Sequence, residues 1–105
     1  MLNKQHRYSF GKGAPRKSSQ TPFFVLRYEK ADNFTCGVVV SKKVASHAVD
    51  RNHIKRMYKS VLESVQKENP FRFSIVFYVR KSSMGLSKES LQGHIEQIFR
   101  KEGII

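Results

Sequence analysis

Six side chains within one short span carry the most distinctive chemistry of this chain: Arg51, Asn52, His53, Lys55, Arg56 and Lys59. On a helix, Arg51, Lys55 and Lys59 fall one turn apart, about 6 Å per step, close to the spacing of phosphates along a nucleic-acid strand. The two arginines can fork onto phosphates, and the Asn52 amide can donate to or accept from a base or a ribose. A solvated charged helix face is the competing reading. It is weakened because no acid lies between positions 51 and 62. Just upstream, Ser41, Lys42 and Lys43 add a hydroxyl and two ammonium groups to the same region.

Other chemistry is thinly supplied. The aspartates are Asp32, in a turn segment, and Asp50, beside Arg51, and the glutamates are dispersed. His47 and His53 are too far out of phase to share a helix face, and His6 and His94 have no ligand-rich neighbours. The pattern therefore predicts no protein-held metal and speaks against a nuclease acting alone. Cys36 is the sole cysteine, so no internal disulfide forms, and its apolar strand context makes it a small core residue. Neither Gly11-Lys12-Gly13 nor Gly37 belongs to a phosphate-binding loop.

The chain has 105 residues and a mass of 12.2 kDa, enough for one domain spanning 1–105. Its net charge is +12, from 20 basic and 8 acidic residues. Residues 1–60 contribute +10 of this and residues 61–105 only +2, which suits a polyanionic partner better than a charge spread for solubility. No apolar run is long enough to cross a bilayer, and the opening MLNKQHRYSF lacks the apolar stretch of a secretory signal. A cytoplasmic protein with no membrane partner is expected. No helix-turn-helix or zinc pattern points to DNA.

The elements that must position these groups follow from periodicity. Residues 1–22 form a basic N-terminal arm, with a short strand possible near 15–20. Residues 23–30 alternate as a strand, with Phe24, Leu26 and Tyr28 on one face and Phe23, Val25 and Arg27 on the other. Ala31-Asp32-Asn33 is a turn consistent with a hairpin. Residues 34–41 read as a second strand, central because both faces are apolar. From about 47 to 66 the period is helical: Ile54, Met57, Tyr58, Val61, Leu62 and Val65 make the apolar stripe, and the basic residues occupy the opposite arc. Asn69-Pro70 stops this helix. Residues 71–80 alternate as a strand. A last helix starts after Ser87, an N-cap candidate, and buries Leu91, Ile95, Ile98 and Phe99. The result is an α+β fold, a two-layer sandwich of helices on a mixed sheet of about four strands.

The run Val38-Val39-Val40-Ser41-Lys42-Lys43-Val44, followed by Ala48-Val49-Asp50-Arg51-Asn52-His53-Ile54-Lys55-Arg56, closely resembles the signature of the bacterial ribonuclease P protein family. There, a strand ending in V-S-K-K precedes A-V-x-R-N-R-x-K-R on a helix. Phe10 with Gly13, the run Pro22-Phe23-Phe24-Val25-Leu26-Arg27-Tyr28, and the strand end Phe77-Tyr78-Val79-Arg80-Lys81 extend the resemblance over the whole chain. It implies a fold like domain 2 of ribosomal protein S5, with the signature helix as a left-handed βαβ crossover between parallel central strands.

The implied activity is removal of the 5′ leader from precursor tRNA by a ribonucleoprotein. Its RNA subunit holds the catalytic Mg²⁺, and the protein contributes no catalytic residue. Carried over by position, Arg51, Asn52, His53, Lys55, Arg56, Lys59, Ser41, Lys42 and Lys43 would meet the RNA subunit and substrate. Phe10, Arg7, Lys12 and Arg27 would line a cleft for the single-stranded leader. Three departures from the family pattern stand out. His53 replaces the second arginine of R-N-R, exchanging a guanidinium for an imidazole. The N-terminal helix is shortened, and Arg27 occupies a strand position where many members carry an aromatic ring. A general RNA-binding structural protein, such as a ribosomal protein, is the alternative of a different class.

Overall fold

The computed structural model describes Gly13 and residues 15–105. The elements run β1 (Lys17–Gln20), β2 (Phe24–Lys30), β3 (Thr35–Val39), α1 (Ala48–Glu68), β4 (Phe73–Val79), a 3₁₀ turn (Lys81–Gly85) and α2 (Lys88–Lys101). The short strand expected near 15–20 is β1. Arg7, Phe10, Lys12 and the segment expected to form a shortened first helix lie outside the described residues.

The four strands form one mixed sheet in the order β1-β2-β4-β3. β1 pairs antiparallel with β2, β2 antiparallel with β4, and β3 parallel with β4. Two expectations are corrected here. First, residues 23–30 and 34–41 do not form a hairpin, because β4 lies between them and pairs with β2 along its length, from Phe24↔Val79 to Lys30↔Phe73. The Ala31 amide donates to the Arg72 carbonyl at 3.1 Å, which ties the end of β2 to the segment entering β4. The buried Phe34 ring then packs edge-on against Phe71, 5.0 Å between centroids, and carries the chain past β4. Second, β3 is an edge strand rather than a central one. β3 buries Cys36, Gly37 and Val38 but exposes Val39 at its end, whereas β4 holds Ile75, Val76 and Phe77 at 0% exposure between two hydrogen-bonded neighbours, as a strand inside the sheet does.

A third correction concerns Phe23. The Thr21 side chain accepts from the Phe23 and Phe24 amides at 3.2 and 3.1 Å, so the chain is still turning at 23 and β2 begins at Phe24. Phe23 therefore leaves the face shared by Val25 and Arg27 and packs on His94 of α2, 4.5 Å between ring centroids.

One sheet face and both helices enclose the core. Phe24, Leu26 and Tyr28 of β2, Ile75, Phe77 and Val79 of β4, and Cys36 and Val38 of β3 meet the apolar stripes of α1 and α2. α1 buries Ile54, Tyr58, Val61, Leu62 and Val65, and α2 buries Leu91, Ile95, Ile98 and Phe99. Each such large side chain contributes about 1.5–3 kcal/mol on burial. Phe77 centres the aromatic packing, with ring centroids 5.0 Å from Phe24 and 5.3 Å from Tyr58. Burial pushes the Cys36 thiol up to about 11, with the Lys59 charge opposing, so it is protonated at neutral pH. Ser87 caps α2 by accepting from the Ser90 amide at 3.2 Å. Asn69 ends α1, its amide bonded to the Val65 carbonyl at 2.8 Å.

The Tyr58 hydroxyl is buried and shares a 2.7 Å hydrogen bond with Ser83, which pins the 3₁₀ turn to α1. Tyr58→Phe leaves the buried Ser83 hydroxyl unpartnered and should lower unfolding free energy by about 1–3 kcal/mol; a change under half of that in urea melts would remove the bond from the stability account. Two phenols are pushed up to about 12: Tyr28 by its hydrogen bond to the Glu102 carboxylate, and Tyr58 by burial. The folded chain keeps protons that the unfolded chain releases above pH ~10. Stability should therefore fall as pH rises from about 10 to 12, read as a falling midpoint in urea melts across that range; a midpoint that stays flat would contradict it.

Candidate nucleic-acid interface

The site is built where β3 ends and α1 begins. Parallel strands need a long connection, and here α1 is the crossover from β3 to β4. Residues 41–46 turn the chain between them. The Val44 and Ala45 amides both donate to the Ser41 carbonyl, at 3.0 and 3.2 Å. Buried Val40 and Ala45 anchor the two ends of this turn, which leaves Ser41, Lys42 and Lys43 exposed.

Arg51 holds the turn in place. Its Nη1 donates to the carbonyls of Ala45 at 3.0 Å and Ser46 at 2.8 Å, and the residue is half-buried. Sequence reasoning treated it only as a phosphate contact, whereas part of its guanidinium is committed to the loop that carries Lys42 and Lys43. On the rest of α1, Asn52, His53 and Arg56 are exposed, while Lys55 and Lys59 are half-buried. A half-buried lysine keeps its stem on the protein and its ammonium in water. The positive end of the α1 dipole adds to the field of these cations.

The sheet face turned away from the helices meets this basic region. The strand register aligns side chains in rows across it. One row is Gln20, Val25, Tyr78 and Val39, and the next is Ser18, Arg27, Val76 and Gly37. Val39 is 36% exposed and Tyr78 half-exposed, so a ring and an apolar patch stand open there. Arg27 lies in the second row and its Nε donates to the Pro15 carbonyl at 2.8 Å. A third row pairs Glu29, Ser74 and Thr35, with the Thr35 hydroxyl donating to Ser74 at 3.0 Å.

Because β3 and β4 are parallel, their C-terminal ends coincide. Lys42 and Lys43, following β3, and Arg80 and Lys81, following β4, thus leave the same end of the sheet. Arg80 is oriented by a 3.1 Å bond from its Nη2 to the Gln20 amide oxygen. Sequence reasoning named Tyr78 only among several rings of which a few could line a cleft, and did not place Arg80 or Lys81 in the site. The signal that could have found them is the parallel register, which is non-local. Among the described residues, no three His, Cys, Asp or Glu side chains converge to hold a metal ion. Among the same residues, no helix is long and apolar enough to cross a membrane.

A mixed-sheet α+β domain with cations gathered at one sheet end, beside a partly exposed row of Val25, Tyr78 and Val39, suits a polyanion-binding module. The comparisons with known proteins then specify it. The family model for Ribonuclease P matches residues 1–103. The ribonuclease P protein component of Mycoplasma mobile is 34% identical over 80 residues, covering 76% of this chain and 70% of that protein. That of Synechocystis is 30% identical over 96 residues, covering 91% and 77%. Among solved structures, a Staphylococcus aureus RNase P protein mutant with defective mRNA degradation activity matches with a TM-score of 0.78 at 23% identity, over 97% of this chain and 92% of that one. The Thermotoga maritima RNase P protein matches at 0.71 and 23% identity, over 81% and 82%. The chain belongs to the ribonuclease P protein component family.

If Arg51 holds the loop, Arg51→Ala should speed hydrogen exchange at the Val44 and Ala45 amides by about tenfold or more, since a charged hydrogen bond contributes about 1.5–3 kcal/mol. Unchanged protection at both amides would show that the loop holds itself.

Proposed function

We infer that this chain is the protein subunit of a bacterial ribonuclease P, binding the catalytic RNA subunit and the 5′ leader of precursor tRNA and assisting Mg²⁺-dependent removal of that leader. One observation carries the reading beyond family membership. The loop cations Lys42 and Lys43 leave the sheet end at which α1 begins, the α1 set of Asn52, Lys55, Arg56 and Lys59 follows along that helix, and the Tyr78 row, with Arg27 in the row behind it, starts from the same end on the other sheet face. A structured RNA on α1 and a single strand on the sheet face can then be held together.

The physical task is to join two polyanions. An RNA enzyme and its RNA substrate repel one another, and a +12 chain between them screens that repulsion and releases condensed counterions. The sheet face suits a single strand because a ring can stack any base and guanidinium groups can follow the phosphates. Binding the leader favours precursor over leaderless product. Mg²⁺ would be held mainly by RNA and would there activate water and stabilise the leaving oxygen. The protein's residues orient the strand entering that centre. Ser41, Lys42 and Lys43 stand between the α1 surface and the sheet face and are assigned to the junction. Phe10, Arg7 and Lys12 are assigned with Arg27 to the leader.

The testing experiment is cleavage of a precursor tRNA at low Mg²⁺ by a bacterial ribonuclease P RNA, with and without the chain, beside a chain-only control. Cleavage that needs the RNA and rises with the chain is expected. RNA binding without any rise, using the cognate RNA, would favour a structural RNA-binding protein, and cleavage by the chain alone would overturn the mechanism. Lys43→Ala and Lys55→Ala should each weaken RNA binding and reduce the slope of log affinity against log salt by about 0.7–0.9; an unchanged slope would remove that residue from the interface. Arg27→Ala should weaken leader-bearing tRNA more than mature tRNA, and equal losses on both would take Arg27 out of the leader path.

A further inference from the structure

A concavity lies beside the first half of α1. It has a volume of about 170 Å³ and opens between the first half of that helix and the 3₁₀ turn. α1 supplies Asp50, His53, Ile54 and Met57, spaced as one helical stripe, and Met84 and Leu86 face them from the turn and its exit. The floor is dry in character. Ile54 and Ser83 are buried, and the Ser83 hydroxyl is already committed to Tyr58. The rim is accessible, with His53 and Asp50 exposed and Met84 47% exposed.

We propose that this cleft takes one unpaired, amino-bearing nucleobase of the RNA that α1 contacts. The inference rests on the reading of α1 as an RNA-facing helix and adds a base-binding site to it. Three features point to that ligand. The lining is apolar and polarizable, with two thioethers and an imidazole, which suits the face of a flat heteroaromatic ring. A single carboxylate stands at the mouth, and a carboxylate at neutral pH only accepts hydrogen bonds. It therefore matches the exocyclic amine of adenine, cytosine or guanine, and disfavours uracil, whose single N3–H donor is flanked by two carbonyl oxygens that the carboxylate repels. Finally, Asn52 and Arg56 lie on the adjoining strip of α1 beside His53, and both are exposed, so a backbone held there has its bases within reach of the cleft.

Asp50 also lies in the first turn of α1, where an acid steadies any helix. That role makes no demand on Met84 or Met57, so Met84 supplies the discriminating variant. A second copy of the chain is the rival occupant, and the +12 charge opposes it.

The test uses the full chain bound to a bacterial ribonuclease P RNA, with dimethyl sulfate reporting the Watson–Crick edges of adenines and cytosines, a guanine-specific reagent reporting the third amino base, and hydroxyl radicals reporting the backbone. At least one unpaired base should be protected by the parent chain and reactive again with Met84→Glu, while the backbone footprint along α1 persists. Affinity should fall by about tenfold, and Met84→Leu should restore the protection. Identical base reactivity with parent and Met84→Glu would overturn the proposal and leave the RNA-binding reading standing. A dimer of the free chain that Met84→Glu dissolves in sedimentation would assign the cleft to a second copy and also overturn it. No footprint from the parent chain would defeat both this proposal and the reading beneath it.

Discussion

Strand β4 sits between β2 and β3, and its parallel pairing with β3 decides where every candidate residue goes. The register Val39↔Tyr78 brings the ends of the two strands together. The loop after β3 and the residues after β4 then share one end of the sheet, and α1 must start there because it is the crossover. Had β2 and β3 closed a hairpin instead, β3 would have lain beside β2, and Lys42 and Lys43 would have had no such tie to Arg80 and Lys81. The apolar character of β4 on both faces, with Ile75, Val76 and Phe77 fully buried, keeps it inside the sheet.

Concentrated charge has a structural cost that the fold offsets locally. The basic side of α1 has no acid from position 51 to 62, so its cations repel one another until an anion arrives. The helix is held by its other side, through five buried apolar or aromatic residues and the Tyr58–Ser83 bond. Arg51 spends part of its hydrogen-bonding capacity on the Ala45 and Ser46 carbonyls, turning one charge of the cluster into support for the loop that presents two others. On α2, by contrast, Glu96 and Arg100 pair within the helix at 3.6 Å, as an ordinary solvated surface does.

Much of this was legible in the sequence, for local reasons. The buried set of α2 and its Ser87 cap follow from helical period and capping chemistry alone, and the stripe of α1 from Ile54 to Val65 does too. The V-S-K-K and A-V-x-R-N spacing located the loop and helix cations. What was not legible depends on distant pairing. An apolar run such as residues 34–41 reads the same for an edge or a central strand, because what covers its second face comes from elsewhere in the chain. Phe23 looked like a member of the open face until the Thr21 turn displaced it. Arg51 offered no sign that its partners would be carbonyls five and six residues back. The cleft between Met57 and Met84 needs α1 and the 3₁₀ turn side by side.

The central claim is that RNA lies across the open sheet face and the sheet end that carries Lys42 and Lys43. The most direct test is a map of backbone amide shifts as a short single-stranded RNA is titrated into the chain. The account predicts the largest shifts along the Val25–Tyr78–Val39 row, at Arg27, and through residues 41–43, with little change on the outer side of α2. Shifts centred on α2, with the sheet face silent, would contradict it.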